Sequence, residues 1–176
     1  MAIYALGDKV PQIADSAYIH PQASVIGDVL IGERVFVAPM ASIRGDYGRI
    51  EIGDESNVQD GVVIHSHHSF VTKIGKRVNI GHNATLHSKE VADGAAIGIG
   101  AVLMLGSIVA EGAMIGNCAL LRPKTETEPY KIYAGVPAKL LREIREKDPA
   151  REMIEAFLDR YVANAQRYPG ELRKLD

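Results

Sequence analysis

The sequence predicts a mainly β protein: a parallel β-helix of about six triangular coils, followed by a C-terminal α-helix packed along the solenoid. Three observations predict it. Aliphatic residues recur every six positions, Gly or another small residue often follows them, and the spacing turns helical only near the carboxyl terminus. A period of six is neither the helical period nor a plain strand alternation, and it points to a hexapeptide solenoid.

The series runs Ile13, Ile19, Val25, Ile31, Val37 and Ile43. It resumes after a three-residue insertion at Ile52, Val58 and Ile64, and after a four-residue insertion at Ile74, Ile80 and Leu86. One residue is then lost, and Val91, Ile97, Leu103, Val109, Ile115 and Leu121 follow. Three hexads make a coil, so these 18 positions make six coils. Successive coils should stack one strand spacing apart, roughly 4.8 Å, with Gly and Asn at the tight corners.

The solenoid is expected over residues 11–123, a turn-rich connection over 124–147, and a helix over 148–168. Asp148 suits the N-cap and Pro149 the first turn. Ile154, Phe157, Leu158, Tyr161, Val162 and Ala165 make an apolar face at helical spacing, and Pro169-Gly170 is read as the stop. The tail has too little apolar surface for a core of its own, so 1–176 reads as one domain.

Composition narrows the function. Hydrophobic residues are 47% and net charge is −2, which gives a globular chain without a field that favours nucleic acid or an acidic membrane. Cys118 is the single cysteine, which excludes an intrachain disulfide and a CxxC metal site. MAIYALGDKV has no basic region followed by a long apolar run, so a soluble, cytoplasmic protein is expected.

The repeat fixes where three histidines stand. His65 follows Ile64 and His87 follows Leu86, in one column on adjacent coils, so their side chains should stack at one edge. Arg44 follows Ile43 in that column, one coil below. His82 stands two places after Ile80 in the neighbouring column, with Asp60 beneath it. Neutral imidazoles are good zinc ligands, and three of them leave a fourth position open. Within one chain a wall separates His82 from the other two, so a three-histidine site requires a second copy. The expectation is a cyclic homotrimer with a metal shared at each interface, Arg44 of one subunit approaching Asp60 of the next as an ionic clamp. His20 falls in another column and reads as structural, and Cys118 as a small buried residue.

RGDYGRI, NVQDGVVIH and IGHNATLH, met in this order, resemble the γ-class carbonic anhydrases and their close relatives over essentially the whole chain. The resemblance implies a left-handed solenoid, an exception to the usual crossover rule. It implies zinc or ferrous iron on His65 and His87, with His82 supplied by the next subunit. Gln59 would orient the metal-bound water, and Asp46 and Asn57 would support that network. Carbon dioxide would be hydrated to bicarbonate by a metal-bound hydroxide. The best-known members carry a glutamate directly after the RGD-type aspartate and another after the first histidine. Here Tyr47 takes the first place and the loop HSHHSFVTK has no acid. His67 or His68 could relay protons instead, and Tyr161 could reach the pocket from the helix.

RGDYGRI also resembles a subgroup associated with carnitine and phenylacetate metabolism, some members of which are coenzyme A thioesterases. A pocket large enough for pantetheine would favour that activity; a closed one would favour carbon dioxide. A hexapeptide acyltransferase and a non-catalytic trimeric scaffold are the remaining alternatives.

Overall fold

The computed structural model describes residues 2–175. Each hexad turns one aliphatic side chain inward, and the side chains stack in three columns. Ile43, Ile64, Leu86 and Leu103 lie on successive rungs of one column, all fully buried. Burying such a side chain is worth roughly 1.5–3 kcal/mol, and the single core cluster that runs the length of the solenoid repeats this gain rung by rung. All pairings between coils are parallel.

The three faces differ in what covers them. A helix face carries Ile19, Val37, Val58 and Ile80; a histidine face carries Ile43, Ile64 and Leu86; a bare face carries Ile52, Ile74 and Val91. The irregular spacings all fall at the corner between the histidine and bare faces. There the strands Ser24–Ile31 and Ser42–Ile52 run through the corner, with a register shift between Gly27 and Val29. The insertion after His65 folds on top as a tight loop, bridged antiparallel between His67 and Phe70.

The solenoid is longer than expected, with about seven turns rather than six. Ala2–Tyr4 adds a rung below Ser24–Ile31, and Lys131–Ala134 adds one above Met114–Ile115. The region 124–147 is therefore not only turns: Lys139–Glu143 pairs antiparallel with Lys131–Ala134. Tyr133 takes the core position over Ile115, which hides this rung from a search for aliphatic residues. It stays 8% exposed because its hydroxyl accepts a hydrogen bond from the Glu128 N–H at 3.0 Å.

The terminal helix, Pro149–Glu171, begins as expected, with Asp148 accepting from the Ala150 N–H and Pro149 in the first turn. It does not stop at Pro169-Gly170. Pro169 lies in the last turn, where its missing N–H removes one intrahelical bond, and the Leu172 N–H still reaches the Tyr168 carbonyl at 3.0 Å. The helix lies on the helix face, with Leu158 and Ala165 buried. Tyr168 packs edge-on against Phe36 at 5.1 Å between ring centres, and Phe36 stacks on Tyr18 at 5.3 Å. Arg77 ties the middle of the helix to the solenoid, reaching Glu155 at 2.7 Å, Asp159 at 3.0 Å and Glu55 at 3.0 Å.

Candidate metal centre

The counting argument holds rung by rung: Arg44 pairs with His65, Ile64 with Leu86, and Val58 with Ile80. The His65 and His87 rings stack, with centres 5.1 Å apart and planes at 23°. His87 Nε2 is buried and has no hydrogen-bond partner among the described residues. A buried imidazole nitrogen without a partner carries a desolvation cost, which a cation would relieve. His65 Nε2 lies 2.9 Å from Asp46 Oδ1, placing a carboxylate beside the pair.

Asp46 reaches His65 from the outward side of the strand Ser42–Ile52, two places after Arg44, where the first insertion begins. Arg44 binds its other oxygen, and the Tyr47 N–H donates to Oδ1 at 2.9 Å. Burial pushes the Asp46 carboxyl upward, but the hydrogen bonds from His65 and Arg44 outweigh it and hold it below the usual carboxylate range. The rings of Tyr47 and His67 flank the pair, 5.6 Å from His65 and 6.2 Å from His87 respectively. His68 is exposed and stands 4.2 Å from the His67 ring.

His82 stands apart, at the corner between the helix and histidine faces. Its Nδ1 is 2.9 Å from Asp60 Oδ2, and both side chains are about half exposed, at 41% and 51%. Asp60 thereby engages the imidazole through Nδ1 and leaves Nε2 as the nitrogen that a metal would use. Among the described residues, no group of three or more His, Cys, Asp or Glu in one chain is placed to hold a metal.

The expected supporting residues divide between the two halves. Asp46 belongs with His65. Asn57 and Gln59 belong with His82, in a buried amide cluster with Asn79. Gln59 Nε2 donates to Asn57 Oδ1 and to Asn79 Oδ1, both at 3.0 Å, and Asn57 Nδ2 donates to Asn79 Oδ1 at 3.2 Å. Asn79 was missed from the sequence, although it occupies the register position of Asn57 one rung up. Arg44 and Asp60, expected to meet across an interface, each have a partner within the chain.

Tyr161 does reach the His82 half. It lines a groove of about 440 Å³ between helix and solenoid, together with Gln59, His82, Ile99, Met114 and Phe157. Burial, and then the charge of Asp60, push its phenol pKa upward. Phe157, expected to pack against the solenoid, is 36% exposed because it stands in the wall of this groove. Cys118, expected to be buried, is exposed at the corner that carries His82 and has positive φ. No helix among the described residues is long and apolar enough to cross a membrane.

No protein-family model matches the chain. It is 36% identical over 148 residues to the carnitine operon protein CaiE of Proteus sp., covering 84% of this chain and 75% of that protein. A Bacillus cereus structure described as a candidate acetyltransferase superposes with a TM-score of 0.90 at 33% identity, covering 95% of this chain and 96% of that one. A hexapeptide transferase family protein from Anaplasma phagocytophilum gives 0.87 at 30% identity, covering 95% and 98%. The chain belongs to the CaiE family of γ-carbonic anhydrase-like proteins, within the hexapeptide-repeat β-helix superfamily.

Proposed function

We propose that this protein is a metal-dependent, carbonic anhydrase-like enzyme that hydrates carbon dioxide to bicarbonate at the interfaces of a homotrimer. The observation that carries the reading is the His65–His87 stack, with a buried His87 Nε2 that nothing among the described residues satisfies. His65 and His87 would hold zinc or ferrous iron with His82 of the next subunit. Bound there, the metal supplies Lewis acidity that brings the pKa of a coordinated water toward about 7.

The chain's own residues then divide the work. Asp60 holds the His82 tautomer, and Asp46 orients His65. The amide cluster fixes Gln59 in the lining of the groove that His82 also borders, where its side chain would position the attacking water. Arg44 and Asp60 are close enough to the two halves to clamp neighbouring subunits. Val63 and Met104, exposed on the histidine face, and Ile99, exposed at the His82 corner, give that interface apolar surface.

The test is stopped-flow carbon dioxide hydration by zinc-loaded and anaerobically ferrous-loaded protein, against a metal-stripped control. Metal-dependent turnover that disappears in His82→Ala is expected. A fully metallated trimer without turnover rejects the assignment.

The groove favours a second reading. Its volume of about 440 Å³ lies within the ~300–1,000 Å³ of small-molecule sites, and its walls, Ile99, Met114 and Phe157, are apolar. The same centre could act on a coenzyme A thioester whose pantetheine arm lies there, as hydrolase or acyltransferase. The two transferase-described neighbours agree with that chemistry. Phe157→Asp would then raise KM for acyl-coenzyme A substrates by an order of magnitude and leave carbon dioxide hydration unchanged. Equal KM in both proteins would remove the groove from the site.

A further inference from the structure

We infer that Lys9 is a positioning residue of the metal centre, an inference that rests on the metal-centre reading above. From the amino-terminal hairpin it holds the peptide unit that sets the Asp46 carboxylate beside His65. Lys9 Nζ donates to the Asp46 carbonyl at 2.5 Å, from 37 positions away in sequence. That carbonyl and the Tyr47 N–H belong to one peptide unit. The same N–H donates to Asp46 Oδ1 at 2.9 Å, and Oδ1 lies 2.9 Å from His65 Nε2. A chain of polar contacts therefore runs from the ammonium to the imidazole, and hydrogen bonds in such a chain polarise one another.

Asp46 needs this support because the strand that carries it bulges. Between the Gly27–Gly45 and Val29–Ile50 pairs, residues 46–49 stand opposite Asp28 alone. On the other side, the pairing with Val63–His65 ends at Arg44 and His65. A backbone carbonyl that a bulge takes out of the ladder finds a partner elsewhere, and an ammonium makes the stronger, charge-assisted bond. Arg44 binds the far oxygen of the carboxylate, so the main chain and the side chain of Asp46 are each held by a cation.

The hairpin is built to present Lys9. Ala2–Tyr4 anchors it as the rung beneath residues 24–26. Leu6 and Lys9 then exchange backbone hydrogen bonds of 2.9 and 3.2 Å, with Gly7 in the turn at a φ of 59°. Lys9 is partly buried, while Asp8 and Val10 on either side are exposed. All these residues precede Ile13, the first aliphatic position of the repeat, so the six-residue count gives Lys9 no place near His65.

The experiment compares the parent with Lys9→Met, which keeps the length of the side chain and removes its donor, and with Lys9→Arg. Cobalt is the probe. Its affinity, measured by competition with a chromophoric chelator, is expected to fall about 10-fold in Lys9→Met, the lower end for partners outside the ligand set. Tyr47 amide exchange in the metal-free protein should quicken, because its bond to Asp46 Oδ1 loses support. Lys9→Arg, a cation that still donates, should restore both readings. Tm and sedimentation are followed alongside. A loss of affinity that tracks loss of folding or assembly, and that arginine does not restore, overturns the inference. Should Lys9→Met fail to fold, Lys9→Gln, whose neutral amide stops one atom short, should show the same weakening. Cobalt affinity equal to the parent's or above it in the donor-less variant overturns the inference and leaves the metal centre standing. A parent protein that takes up no cobalt overturns both.

Discussion

Asp60 gains its importance from a neighbour one rung up and two residues past the aliphatic position. Its carboxylate holds His82 Nδ1 at 2.9 Å, which sets the tautomer that a metal requires. Asp60→Asn keeps the side-chain shape but loses the carboxylate that holds His82 Nδ1. Metal affinity should fall about 10–100-fold, measured by competition with a chromophoric chelator; parent-like affinity would assign Asp60 to the subunit interface alone. The three histidines, Arg44 and Asp60 were legible because all stand one or two places after an aliphatic position, where the repeat fixes the direction of a side chain. Asp46 and His67 were harder to place, since both lie in insertions where the six-residue count lapses. Their contacts depend on how the two insertions stack: Gly48 beneath the loop, Ser66 Oγ on the Gly48 N–H. No spacing rule encodes that. Asn79 was within reach, because its register match with Asn57 follows from the same counting.

The terminal helix shows what capping chemistry reveals and what it does not. Asp148 announced the start, and its carboxylate also takes both terminal nitrogens of Arg142. The hydrogen bond from Arg142, and then the Ala150 N–H, hold this carboxyl far below the usual range. The sign follows: a carboxyl depressed in the folded state stabilises fully above its unfolded value of about 3.9, and that stabilisation is lost as pH falls from there toward the folded value. Asp148→Asn retains a cap but carries no charge to titrate. The difference in Tm between parent and variant, followed by circular dichroism, should therefore be largest near neutrality and shrink below about pH 4. A difference constant with pH would assign the effect to cap geometry alone. The stop signal at Pro169-Gly170 misled because proline disrupts an interior more than a last turn. Lys139–Glu143 was invisible because every one of its side chains is exposed, so no burial pattern marks the strand. Its place is set by Tyr133 on the strand beside it.

At the scale of the molecule, the solenoid and the proposed centre divide stability in different ways. Each coil is held by its neighbours, so core stability accumulates locally along the axis. The metal would instead link separate chains, since His82 stands at one corner and the His65–His87 pair lies across a face from it. Any ligand that binds only the assembled form shifts assembly by mass action, by about 2.7 kcal/mol at one hundred times its dissociation constant. Sedimentation velocity on a dilution series should therefore show trimer persisting to roughly 10-fold lower protein concentration with zinc than with chelator for each metal coupled at that strength, because the midpoint of a trimer scales as the inverse square root of its association constant. His82→Ala separates this coupling from general stabilisation, because it leaves His65, His87 and the exposed apolar patch intact while removing the bond between chains. The variant should still assemble at high concentration, through Val63, Met104 and Ile99, yet gain nothing from zinc. If zinc strengthened the variant's assembly as much as the parent's, the metal would be held within single chains. The division of labour between the two faces would then need another cause.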